Sequence, residues 1–108
     1  MARAELLEHY TQLLRLTQEM LELARRSDWD RMIDVERARS AIVDDLTRLD
    51  VQIDWSQADL ARKRALIQSV ALADEEIKAL TQAWMGELKE ILGSIETEKK
   101  LSKTYESP

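Results

Sequence analysis

The chain has 108 residues, of which 44% are hydrophobic and 34% charged, and its formal net charge is −5. A single domain is expected at this length, the absence of Cys excludes disulfides and thiolate metal sites, and the acidic balance disfavours direct binding to nucleic acid. No apolar run approaches the roughly 20 residues that span a bilayer, so we expect a cytosolic protein without membrane insertion.

Few residues in this chain would break a helix, because the only proline is Pro108 and the only glycines are Gly86 and Gly93. The first helix is predicted over about residues 3–26. Residues at alternating steps of four and three form one stripe there, made of Leu6, Tyr10, Leu13, Thr17, Met20 and Ala24. Further leucines flank this stripe, so the helix is expected to touch two neighbours.

A second helix is predicted over about residues 28–50. Ser27 is a favourable N-cap residue, and Asp30 falls near the positive end of the helix dipole. The apolar positions of this helix are Trp29, Met32, Ile33, Val35, Ile42, Val43, Leu46 and Leu49. The solvated face is expected to carry Arg31, Asp34, Arg37 and Asp44.

The segment from Asp50 to Ser56 is the best candidate for a loop, and Ser56 with Asp59 repeats the cap pattern of the second helix. The third helix is then predicted over about residues 56–97, a length of ~60 Å at the rise of an α-helix. It would overhang a first helix of ~36 Å. Residues 98–108 are expected to form a tail with at most a short fourth-helix stub.

The main apolar stripe of the third helix passes through Asp74 and Thr81. A carboxylate on such a seam is costly if it is buried unpaired, so the middle of the helix should be partly open or should meet a polar partner. The stripe itself consists of Leu60, Ile67, Val70, Ile77, Trp84, Leu88, Ile91 and Ile95. Gly86 and Gly93 are either tolerated in the helix at ~1 kcal/mol each or mark a thin face for a close helix contact.

The sequence argues against an enzyme and gives no reason to expect a cofactor or a metal. His9 is the only histidine, and the Glu-x-x-His pairs of di-iron bundles are absent. No glycine-rich phosphate loop or nucleophile elbow occurs. The acidic runs and the basic runs, including Arg62-Lys63-Arg64, are interpreted as surface charge rather than as catalytic or nucleic-acid-binding groups.

The corner between the first two helices carries Leu21-Glu-Leu-Ala24, then Trp29-Asp30 and Glu36. This pattern resembles the corresponding corner of the FliT family of flagellar export chaperones. It continues at matching spacing late in the chain, through Asp74-Glu75, Ile77-Lys78, Leu80, Glu87-Leu88, Leu92-Gly93, Lys99, Leu101 and Tyr105. It covers nearly the whole chain apart from residues 50–60.

The resemblance implies an all-α, antiparallel bundle of three main helices with a long third helix. It also implies a protein that binds the C-terminal part of the flagellar filament-cap protein, prevents its premature assembly and docks on the export ATPase complex. In some bacteria the family restrains the flagellar master transcription regulator. Family members typically carry a fourth helix after the position of Tyr105, which covers the client surface. We therefore expect an open client groove here, or one covered by a second copy in a homodimer.

The resemblance places the family's binding surfaces on the second and third helices. Ile67 and Lys78 match by position, and Ala71 and Leu72 fall in the same region. The second-helix wall would come from Met32, Val35 and Ile42. The alternative for each apolar residue is an ordinary core position. The expected mechanism is capture of an amphipathic client helix in a groove, and the alternative function is that of a self-associating coiled-coil or adaptor protein.

Overall fold

The computed structural model describes residues 2–106, and it describes side chains for residues 3–94. Regular structure in that range is helical and comprises α1 (Ala2–Arg25), α2 (Trp29–Leu49), a short 3-10 helix (Asp50–Gln52) and α3 (Gln57–Glu106). The all-α fold class with a long third helix is therefore confirmed. The predictions that concern the side chains of Ile95, Lys99, Leu101 and Tyr105 lie outside the described residues.

Helix α3 ends later than its sequence suggested. The predicted end was near Thr97, followed by a tail, whereas the helix continues through Glu106. Between Gly93 and Pro108 the chain contains neither glycine nor proline, and its Glu and Lys residues are good helix formers. The predicted tail has few apolar residues. It therefore offers little surface for packing, but this does not stop a helix.

The chain divides into two compact units, Met1–Lys78 and Ala79–Pro108. In the first unit, Thr17 of α1 contacts Arg39 of α2, while Tyr10 contacts Asp50 just beyond the end of α2. These pairs show that α1 and α2 run antiparallel. Asp50 also contacts Lys63, and Arg39 contacts Asp74, so α3 runs antiparallel to α2 and in the same direction as α1.

The core of the first unit is built around α1. Seven of the nine buried hydrophobic residues lie on this helix, and the other two are Leu46 and Ile77. Every member of the predicted α1 stripe is buried, including Thr17 at 0% exposure, whose hydroxyl donates to the Leu13 carbonyl. Helix α1 thus packs on both of its neighbours, as its broad apolar face predicted.

Apolar and polar contacts together attach α3 to the other two helices in the first unit. Leu66 and Val70 pack against the buried cluster around α1, and Ile77 is itself buried. Long side chains add the two ion pairs given above, one of which includes Asp74. The prediction that Asp74 would meet a polar partner is correct.

The corner between α1 and α2 differs from its prediction. Ser27 is not the N-cap of α2 but the residue that closes α1, with φ of 58°. Its N–H donates to the Ala24 carbonyl and the Asp28 N–H to the Leu23 carbonyl, which is the Schellman pattern. Asp28 is the N-cap of α2, and its side chain makes no capping hydrogen bond. The predicted cap at Ser56 is confirmed, because its Oγ accepts from the Asp59 N–H at 3.2 Å.

The described side chains of the second unit belong to residues 79–94 of α3. Met85, Ile91 and Leu92 are exposed apolar residues of this segment. A Cβ added at Gly86 or Gly93 would meet no atom within 4 Å in the described part of the chain. Neither glycine is needed there for a close approach, so both are tolerated positions on an open helix face.

The left-handed conformation of Ser27 leads to a stability prediction. We expect Ser27→Gly to stabilise the protein by about 0.5–1 kcal/mol, because glycine adopts positive φ without the steric penalty of a Cβ. Urea unfolding followed by circular dichroism measures the change. The control is Ser69→Gly at an exposed site inside α3, which should destabilise by about 0.5 kcal/mol. Loss of stability in Ser27→Gly would contradict the assigned role of Ser27.

Candidate functional site

An open groove runs between α2 and α3 in the first unit, with α1 as its floor. Its larger cavity has a volume of about 580 Å³. Its lining is mostly apolar and consists of Tyr10, Leu13, Val43, Leu46, Thr47, Asp50, Val51, Trp55 and Lys63. Tyr10 and Leu13 lie at the bottom because they belong to the buried stripe of α1.

A second cavity of about 280 Å³ extends the groove toward the start of α2. It shares Leu13 and Val43 with the first cavity and adds Glu36, Arg39, Ser40, Asp44, Val70 and Asp74. The α2 wall is therefore one helical row at steps of four and three, formed by Glu36, Ser40, Val43 and Thr47. Val43 is 40% exposed at the middle of this row, so apolar surface is available to a bound segment.

Asp50 holds one end of the groove together. Its carboxylate accepts hydrogen bonds from the Tyr10 hydroxyl and, at 2.6 Å, from the Trp55 indole Nε1. It also pairs with Lys63, whose Nζ lies 2.5 Å from Oδ2. The Lys63 ammonium lies 4.9 Å from the Trp55 ring centroid and 5.5 Å from that of Tyr10, within cation–π range. One carboxylate thus connects α1, the α2–α3 connection and α3.

The protonation states of this cluster follow from its contacts. Partial burial alone would raise the pKa of Asp50, but the hydrogen bonds from Lys63, Tyr10 and Trp55 outweigh it and hold the pKa below its ordinary value of 3.8. Burial, and then the hydrogen bond to Asp50 and its negative charge, raise the pKa of Tyr10. At neutral pH the carboxylate is therefore charged and the phenol remains a donor.

Arg39 bridges the groove nearer to the start of α2 than Asp50 does. Its side chain is only 17% exposed, and its Nη1 lies 2.5 Å from Asp74 Oδ1. It also pairs with Glu36 at 2.9 Å and donates to the Thr17 hydroxyl. The guanidinium thus links α2 to α3 and satisfies the buried polar atom of α1. Asp50 and Arg39 thus attach α3 to the other helices at two points along the groove.

The structure places the four predicted α3 residues on two faces. Ile67, Ala71 and Lys78 are spaced by four and seven and share a face with Asp74, which pairs with α2. All three are exposed, Ile67 at 42%, and they lie along the α2-facing flank of α3. Leu72 is 69% exposed and falls outside this spacing. Their part in binding stays a prediction.

The three predicted α2 residues are half-buried and also divide. Met32 continues the row of Glu36, Ser40 and Val43 toward the start of α2. Val35 and Ile42 instead share the row of Leu46, which is buried in the core. Ile42 packs against that core and lines a cavity on the α1 side of the helix. Val35 and Ile42 therefore lie one helical row away from the groove wall.

Sequence reasoning missed most of the groove lining. Val43 was recognised only as an apolar helix position, and Lys63 was interpreted as surface charge within Arg62-Lys63-Arg64. That interpretation holds for the exposed arginines but is wrong for Lys63, whose side chain is 18% exposed and paired. Trp55, a large aromatic residue next to the cap residue Ser56, was the one local signal of a structured connection. Lys63 gave no signal, because its partner is distant in sequence.

The described residues give no support for metal chemistry or membrane crossing. Among them no group of three or more His, Cys, Asp or Glu side chains could hold a metal ion. None of the helices in the described range combines the length and apolar character that crossing a bilayer requires. The feature that remains is a groove with an apolar floor.

An open, partly apolar groove between two helices is the kind of surface on which helix-binding proteins hold an amphipathic segment. Residues 7–107 match the family described as Flagellar protein FliT, and the chain belongs to this family. It is 29% identical over 100 residues to the flagellar protein FliT of Yersinia pseudotuberculosis, covering 93% of this chain and 83% of that protein. The homologue from Pectobacterium carotovorum is also 29% identical, with 93% and 79% covered. The family comprises flagellar proteins and is not a known enzyme family.

Removal of the Asp50 charge tests its structural role. We expect Asp50→Asn to destabilise the protein by about 1.5–3 kcal/mol, because three donors lose a charged acceptor. The control is Asp45→Asn, since Asp45 makes a surface pair with Arg48 and is 44% exposed. That variant should change the free energy of unfolding by no more than about 1 kcal/mol. Equal effects in urea unfolding would remove Asp50 from its central place.

The lowered pKa of Asp50 predicts a pH dependence of stability. A carboxyl group whose pKa is lower in the folded state stabilises that state above its unfolded pKa, and the contribution is lost as pH falls through the folded pKa. The stability gap between wild type and Asp50→Asn should therefore be constant near neutral pH. It should narrow only below about 3.8, the ordinary value. Urea unfolding across acidic pH measures this gap, and a gap that narrows already near pH 6 would contradict the assignment.

Proposed function

We propose that this protein is a cytosolic flagellar export chaperone that binds the C-terminal segment of the filament-cap protein in the α2–α3 groove. Binding would prevent premature assembly of the cap protein and aid its delivery to the export ATPase complex. The observation that carries the proposal is the open groove floored by Tyr10 and Leu13, in a chain of the FliT family.

Capture would follow the helix-in-groove mode. An amphipathic client helix would place its apolar face on Leu13 and Val43. Ile67 and Ala71 line neither cavity, and we expect them to contact the client from the α3 rim. The larger cavity is wide enough for a bulky apolar side chain, and Val51 and Trp55 close its end. Ordering an unstructured client costs about 2–5 kcal/mol or more, so the affinity is expected to be modest. Release at the export apparatus would then need little energy.

The role proposed is one of binding alone, with no catalytic step, no cofactor and no insertion into a membrane. The flagellar master transcription regulator is a further partner that the family resemblance suggests. Such regulation would act through protein contact rather than through direct binding to nucleic acid, in keeping with the net charge of −5. Lys78, at the exposed edge of α3, would contribute charge at the rim of the client site.

Self-association is the second candidate function. Leu72 is 69% exposed on α3, away from the groove-facing flank, and Val51 is 81% exposed at the end of the groove. Exposed apolar side chains of this size suit contact with a second copy in a homodimer or a structural assembly. Sedimentation of the protein with and without the cap-protein segment separates the two functions. A dimer that excludes the segment supports self-association.

The groove makes Val43 the most informative position for a binding test. We expect Val43→Asp to weaken binding of the filament-cap C-terminal segment about tenfold or more, because a carboxylate would be desolvated under the client. Because Val43 is already 40% exposed, helical content and the free energy of unfolding should change little. Fluorescence anisotropy with a labelled segment measures the affinity.

The matched control is Leu49→Asp. Leu49 lies on the same helix and is 38% exposed, but it borders a cavity on the α1 side. Its substitution should leave binding within about twofold of wild type, since it removes no groove contact. Equal weakening by both variants, or wild-type binding by Val43→Asp, would reject the α2–α3 groove as the client site.

A further inference from the structure

The two ends of the α2–α3 groove differ in chemistry. At the end formed by Tyr10, Val43 and Trp55, the only charged lining groups are Asp50 and Lys63, which neutralise each other at 2.5 Å. This end therefore offers apolar surface without a net charge. It favours an uncharged, bulky side chain of the occupant.

The opposite end carries an excess of negative charge. Three carboxylates line it, from Glu36, Asp44 and Asp74, against the single guanidinium of Arg39. Arg39 is already paired with Glu36 and Asp74. Asp44 is exposed and makes no ion pair with any side chain among residues 3–94. This end of the groove is complementary to a cation rather than to an anion or an apolar group.

The free carboxylate and the apolar end are separated by about one helical turn. Asp44 of the acidic end lies three positions before Thr47 of the apolar end, and Val43 lines both cavities. Three residues of an α-helix span ~4.5 Å. A helix lying along the groove would reach both with side chains three or four residues apart, since these are neighbours on one helix face.

We propose that the client segment is an amphipathic helix with a bulky apolar anchor and a Lys or Arg three or four residues from it. The anchor occupies the cavity over Tyr10 and Leu13, and the basic side chain pairs with Asp44 at the acidic end. This inference rests on the proposed capture in the groove and adds the charge pattern that selects the occupant. It makes Asp44 a specificity residue of the client site.

Two synthetic helical peptides test the inference. They are identical, with Leu and Phe on the anchor face, except that residues four positions before and after the anchor are Lys in one and Glu in the other. Because both sides are substituted, the result does not depend on the direction in which the peptide lies. The Lys peptide should bind about tenfold tighter than the Glu peptide at low salt, and the ratio should shrink at high salt.

Variants of the protein assign this preference to one side chain. Asp44→Asn should reduce the preference to about threefold, because the rim keeps two carboxylates that are already paired with Arg39. The matched control is Asp34→Asn, which removes an exposed carboxylate of α2 that lines neither cavity and should leave the preference at about tenfold.

The outcomes separate the inference from the function on which it rests. Equal affinities of the two peptides, or an unchanged preference in Asp44→Asn, would overturn the inference while leaving groove capture in place. If neither peptide binds, and the filament-cap C-terminal segment also fails to bind, the groove is not a client site and the proposed function falls with the inference.

Discussion

The groove depends on long polar side chains that, beside its apolar contacts, attach α3 to the α1–α2 pair. Asp50 accepts hydrogen bonds from Tyr10 and Trp55 and pairs with Lys63, and Arg39 repeats the bridge to Asp74. Leu66 and Val70 pack beside these bridges on the core around α1. The groove is the space left open over Tyr10 and Leu13, and a guest segment would lie there.

An open apolar groove is compatible with a stable protein because stability comes from elsewhere. Among the side chains that the structure describes, α1 carries seven of the nine buried hydrophobic ones, and each buried Leu or Met contributes about 1.5–3 kcal/mol. Exposed ion pairs such as Arg25 with Glu76 contribute little, because water and salt screen their charges. The first helix therefore anchors the first unit, while Val43 and Ile67 on the other helices can remain exposed for binding. The helices differ in this way because most of the buried apolar side chains lie on α1.

The sequence predicted what depends on one helix and missed what depends on the distance between helices. The α1 stripe, the solvated face of α2 and the Ser56 cap follow from periodicity and local hydrogen bonding, and the structure contains all three. Ser27 was misassigned because a serine at a helix boundary can close one helix or begin the next, and only backbone φ decides. Lys63 and Asp50 lie on different helices, so the residue spacing within either helix does not predict that they pair. The groove is formed by residues of three helices, so no pattern along one helix predicts it.

The same side chains attach α3 and line the larger cavity of the groove. Tyr10, Asp50 and Lys63 bound this cavity, and they also form the bridge between α1, the α2–α3 connection and α3. Under the proposed function, an occupant that displaced Lys63 from Asp50 would therefore weaken one attachment of α3, while the packed core of α1 and α2 would resist change. Binding in this groove and the attachment of α3 would then be coupled, which suits a chaperone that must shield an unstructured segment and later release it.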